Sequence, residues 1–113
     1  MLKIAFYVNA ALEILAGAIF FFTPEMFPNA SGAEIETLMI RMYGAAALAI
    51  GVCSFLAAQR LDNRVLVRVL LTTFVIFHVG VALVNWMGAP DMGAAILHTV
   101  MAVLFLYLYF TEK

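Results

Sequence analysis

The sequence predicts an all-α integral membrane protein, a four-helix bundle with up-down-up-down connectivity and both termini on the cytoplasmic side (N-in, C-in). Three observations predict it. Apolar residues make up 66% of the 113-residue chain and charged residues 12%, with a mean hydropathy of +1.08; a soluble domain has roughly 45–50% apolar and about 25% charged residues. The apolar residues fall into four runs, each near the roughly 20 helical residues that cross a hydrocarbon core of about 30 Å. The positive charges lie almost entirely on one side of those runs. A chain of this length is one domain by the usual prior, here a single transmembrane domain over 1–113. A membrane β-barrel is excluded, because its strands would alternate apolar and polar residues in much shorter segments.

The first span covers 4–22 and is interrupted by Asn9 and Glu13. Lys3 followed by an apolar stretch imitates a signal peptide, but these two polar residues break the apolar region such a signal needs. Pro24 and Pro28 end that helix and space the next. Ser31-x-x-Glu34 has the form of a capping box, which would start the second helix about a turn ahead of its membrane segment, 38–58. Arg41 lies near the start of that segment. Gln59, Arg60, Asp62 and Asn63 make a short polar connection. The third span, 65–87, carries Arg68, His78 and Asn85. Gly88-Ala89-Pro90-Asp91 is a tight turn in which Asp91 is placed to cap the fourth helix; its span, 92–110, contains His98. Asn29-Ala30-Ser31 matches a glycosylation sequon, a three-residue match too common by chance to carry weight.

Orientation follows from Lys and Arg in the short loops. Lys3, Arg60, Arg64, Arg68 and Lys113 belong to the side holding both termini and the second loop, and only Arg41 to the other. Five against one places the termini in the cytoplasm and the first and third loops outside, as in a multi-pass protein of a bacterial inner (cytoplasmic) membrane. Six Lys and Arg without a basic patch argue against nucleic acid as a partner. Cys53 is the only cysteine, so an intrachain disulfide and a C-x-x-C redox pair are excluded; it is expected to be a small buried side chain. Tyr43, Trp86, Tyr107 and Tyr109 are expected as interface anchors, and Gly17, Gly44 and Gly51 as points of close helix contact.

The chemistry concentrates in Glu13, His78 and His98. Ionisable groups are costly inside a bilayer, usually face the bundle interior, and usually mark function. Glu13 lies nine residues before Phe22, His78 nine before Met87, and His98 six after Met92. At 1.5 Å per residue all three sit about 9–14 Å below the outer boundary. Asn9 and Glu13 share one side of the first helix, His78, Ala82 and Asn85 one side of the third, and Ala94 or Ala95, His98 and Phe105 one side of the fourth. Arg41, Gly44, Leu48 and Gly51 form the matching stripe on the second.

These residues admit several readings. A carboxylate and two imidazoles at one depth titrate as a coupled set, suiting a small polar or redox-active ligand or proton exchange. In that reading Glu13 carries charge or a proton, and His78 and His98 contact the ligand. Asn9 lies beside them, and Arg41 and Asn85 line an outward-facing entrance. Alternatively the two histidines ligate b-type haem iron axially, with Gly17, Gly44 and Gly51 leaving room for the ring, or Glu13, His78 and His98 hold a divalent metal such as zinc. The plainer alternative is a closed hydrogen-bond network that fixes packing in an accessory subunit of a homo-oligomer or larger membrane complex. No nucleophile constellation or phosphate loop supports an enzyme.

Two resemblances bear on these readings. The chain is similar to small multidrug transporters in length, span number and a glutamate in span one, which implies proton-coupled efflux; its charge bias and in-membrane histidines depart from that pattern. Gly17 in span one, Pro24 closing it, Arg41-x-x-Gly44 opening span two and Gly51 further along resemble the DoxX-like group of small four-helix bacterial membrane proteins. That resemblance covers nearly the whole chain and implies an inward-facing Arg41 and Gly44, with a role beside membrane oxidoreductases that work near quinones. His78 and His98 lie outside the pattern.

Overall fold

The computed structural model describes residues 1–26, 34–88 and 92–112, and over these the chain is all-helical. α1 spans Leu2–Phe22, a short 3₁₀ turn follows at Pro24–Met26, and then come α2 (Glu34–Ala58), α3 (Arg64–Met87) and α4 (Met92–Thr111). Each of the four long helices is long and apolar enough to cross a membrane, so the chain is a multi-pass membrane protein. The helices match the expected spans to within two residues at every bound except the start of α2, which is described from Glu34, four residues ahead of the predicted membrane segment. Ser31, the sequon at Asn29 and the cap proposed for Asp91 lie outside the described residues.

By packing, the chain divides into two units, Phe6–Leu56 and Met1–Ala5 with Ala57–Lys113. In the first, α1 and α2 run antiparallel and almost touch backbone to backbone. A Cβ on Gly17 would stand 2.7 Å from the Leu48 amide nitrogen, one on Gly44 2.6 Å from the Phe21 nitrogen, and one on Gly51 2.8 Å from the Ile14 nitrogen. Only residues without a side chain permit that approach, which replaces the hydrophobic effect as the source of helix association in lipid. Ser54 continues the buried stripe of Gly44, Ala47 and Gly51 and donates its hydroxyl to the Phe6 carbonyl at 2.8 Å. Tyr7 against Phe55 and Phe20 against Tyr43 flank the seam.

In the second unit α3 and α4 also pack antiparallel. α3 buries Val67, Leu71, Phe74, His78 and Ala82, and α4 buries Ala95, His98, Met101, Ala102, Phe105 and Leu108. Both series recur every three or four residues, Met101 and Ala102 being adjacent, and so define one face of each helix. Asn63 starts α3 by accepting the Leu66 amide on its side-chain oxygen at 3.0 Å, an N-cap worth about 1 kcal/mol. At one end of the pair the Arg68 guanidinium lies 5.7 Å from the Tyr109 ring centre. At the other the Trp86 indole donates to Thr99 at 3.1 Å, and Thr99 donates in turn to the Ala95 carbonyl. Thr72, Thr73 and Thr111 likewise turn their hydroxyls onto the carbonyl four residues back, so the helix itself satisfies a polar group that lipid cannot.

One expectation fails here. Cys53 is exposed, because Ser54 takes the inward position and the helix turns the preceding residue by about 100° to the outer surface.

A buried histidine pair as the candidate functional site

His78 and His98 occupy positions that the helical period would otherwise give to a leucine or phenylalanine. His78 is four residues after Phe74 and four before Ala82, and His98 three after Ala95 and seven before Phe105. The same repeat that buries those apolar residues therefore delivers both imidazoles to the α3–α4 seam, where they are 0% and 6% exposed. Their Nδ1 atoms meet at 2.8 Å. The ring centres are 5.1 Å apart and the planes inclined by 35°. The centres are thus only 2.3 Å further apart than the nitrogens, about twice the distance from an imidazole centre to its edge, so the nitrogens point almost straight at one another.

That contact restricts protonation. One Nδ1 must donate and the other accept, since two N–H groups cannot face each other at hydrogen-bond distance. The pair therefore carries at most one positive charge. When both rings are neutral, the donor ring has its lone pair on Nε2 and the acceptor ring its proton there.

Aromatic rings wall the pair. Phe105 stacks on His78 at 5.5 Å and 16°, Phe77 meets both imidazoles edge-on, and Phe74 packs against Phe105. These aromatic neighbours are apolar, and electrostatic interactions on the faces they cover are weakly screened.

The cofactor readings can be tested on this geometry. Axial ligation of haem sets two imidazoles on opposite faces of a macrocycle, and two rings in direct Nδ1–Nδ1 contact leave no place for one between them. Nor do the glycines provide room: Gly17, Gly44 and Gly51 face the backbone or side chains of the neighbouring helix. The haem reading does not fit this arrangement. A single metal ion fits the donor set once the rings open slightly, because the two nitrogens already face one another at 2.8 Å and imidazole is a good ligand for zinc and its neighbours.

The other predicted site residues fall as follows. Glu13 and Asn9 are buried on one face of α1, 4% and 0% exposed. Asn85 is half-buried, and its amide donates to the Val81 carbonyl of its own helix at 2.9 Å, so one of its donors is engaged locally. Arg41 is exposed and lines an open surface cavity of about 300 Å³ with Glu34, Thr37 and Leu38; the buried face of α2 starts only at Gly44. Sequence reasoning missed Ser54, although its place three residues after Gly51 on the small stripe was a readable signal. The Trp86–Thr99 link had none, since nothing in the sequence pairs them.

Neither a family model, nor a curated protein, nor a solved structure matches this chain.

Proposed function

We propose that this chain is a four-helix protein of a bacterial inner membrane, N-in and C-in, that binds a small polar or redox-active ligand at an intramembrane histidine site and exchanges protons with it. The observation that carries the reading is the buried Nδ1–Nδ1 contact of His78 and His98. Polar groups in an apolar setting are commonly tied to backbone, as the threonines are; two titratable rings facing each other are poorly explained by packing alone. Glu13 enters the proposal from its depth in the sequence and its burial, and supplies the site's carboxylate.

The pair has a specific capacity for proton exchange. A proton arriving on the donor ring's Nε2 makes an imidazolium. That ring passes its Nδ1 proton across the hydrogen bond, and the second ring releases its own Nε2 proton. One proton enters and one leaves, and no other bond changes. The hydrogen bond then points the opposite way, so a second proton cannot follow in the same direction until the pair resets. Such a device exchanges protons stoichiometrically and does not conduct them, which suits coupling to a ligand.

The test is a thermal-stability screen in mild detergent against a short-chain quinone, small organic acids and divalent cations. A ligand that binds only the folded protein stabilises it by about 2.7 kcal/mol at a hundredfold excess over Kd. At least one class is expected to raise the midpoint of the wild type and to leave His78→Gln and His98→Gln unmoved. A screen in which no class acts, or in which the variants respond as the wild type does, overturns the reading.

A further inference from the structure

We infer that the ligand is a zinc-like divalent transition metal, bound by the Nδ1 atoms of His78 and His98 in place of the proton they share. This rests on the ligand-binding reading above and specifies its chemistry.

Three features of α3 and α4 carry it. The first is convergence. Two nitrogen donors on separate helices are directed at a common point, and a tetrahedral zinc with Zn–N near 2.0–2.1 Å needs its nitrogens about 3.3 Å apart. The observed 2.8 Å reaches that value by an opening of about half an ångström and a turn of the rings, well within side-chain motion. The second is tautomeric economy. Both rings ligate through Nδ1 once the donor ring moves its proton to Nε2, so two neutral imidazoles stay neutral, and each then presents an Nε2–H to an outer partner, as metal-bound histidines usually do. The third is the aromatic wall of Phe77 and Phe105, stacked and edge-on against the rings. It covers the rings with apolar surface, where coordination to the donors present is weakly screened.

These two histidines are the only ones in the chain, which makes the experiment selective. Protein labelled with ¹⁵N-histidine and carrying no histidine tag is purified metal-free in detergent. It is then dialysed against zinc sulfate, and bound zinc is counted by mass spectrometry. One zinc per chain is expected, with the two Nδ1 resonances displaced far more than the two Nε2 resonances. Affinity should fall at least tenfold in His78→Gln and in His98→Gln. Failure of the wild type to hold stoichiometric zinc overturns the inference, as does displacement of Nε2 instead of Nδ1. Both readouts use wild-type protein, so a variant that does not fold leaves the test intact. If zinc fails while a quinone or an organic acid still stabilises the protein through both histidines, the metal falls and the binding site stands. If nothing binds, both fall.

Discussion

Ser54 and Cys53 are neighbours in the chain and face opposite ways, and the more polar of the two small side chains is the one that is buried. Ser54 is 0% exposed and bonds to Phe6 across the α1–α2 seam; Cys53 turns outward. The Phe6 carbonyl also sits in the helical ladder of α1, so Ser54→Ala leaves no orphaned acceptor. Its cost should be near the membrane average of about 0.6 kcal/mol, read as a lowered midpoint in a denaturing-detergent titration, and Cys53→Ala should fall within about 0.5 kcal/mol of the wild type. At this scale the candidate site was largely legible. An imidazole in an apolar run announces itself by what it costs to bury, and counting along the helices brought His78 and His98 to one level. That they would meet through Nδ1 was not legible, because ring rotation is settled by the neighbours Phe77 and Phe105. The inward role expected for Arg41 rested on the stripe it shares with Gly44, Leu48 and Gly51 as well as on a family resemblance; Arg41 is nevertheless exposed, because the buried part of that face starts only at Gly44, one turn further on.

Four of the helical glycines show what an element demands of its sequence. Gly17, Gly44 and Gly51 face a neighbouring helix with no space for a methyl group, while Gly80 on α3 has nothing within 4 Å of the place its Cβ would occupy. An added methyl at the first three meets backbone nitrogen, which cannot move aside as a side-chain tip can. Gly17→Ala and Gly44→Ala should each destabilise by about 1–3 kcal/mol. Gly80→Ala should be neutral or stabilising by up to about 1 kcal/mol, the ordinary advantage of alanine in a helix. The comparison is made by the same titration, and equal losses at Gly17 and Gly80 would show that the seam is looser than described. Elements were the most legible level of this chain: a run of apolar residues near 20 long leaves only one backbone conformation in lipid. Asn63 was read only as loop, since a cap is defined by a contact three residues ahead and not by hydropathy.

For the whole molecule the charge distribution makes the sharpest claim. In a Cys53→Ala background, cysteines introduced at Gln59 and Glu112 should react with an impermeant thiol reagent only after the membrane is opened, and those at Thr23 and Gly88 should react from outside intact cells. Labelling with the opposite pattern would invert the proposed orientation. Arg68 with Tyr109 and Trp86 with Thr99 mark the two ends of the α3–α4 pair. Along α3 they are eighteen residues apart, about 27 Å, close to the thickness of a hydrocarbon core. A helix pair held at both surfaces, as the interface-anchor reading of Trp86 and Tyr109 expects, answers a thinner bilayer by tilting. His78 lies ten residues from Arg68 and eight from Trp86, near the pivot of that tilt, and a lever turned about its middle leaves its middle in place. On the proposed binding reading the histidine pair sits where tilting moves it least, so its affinity for a ligand should be nearly the same in short-chain and long-chain lipid.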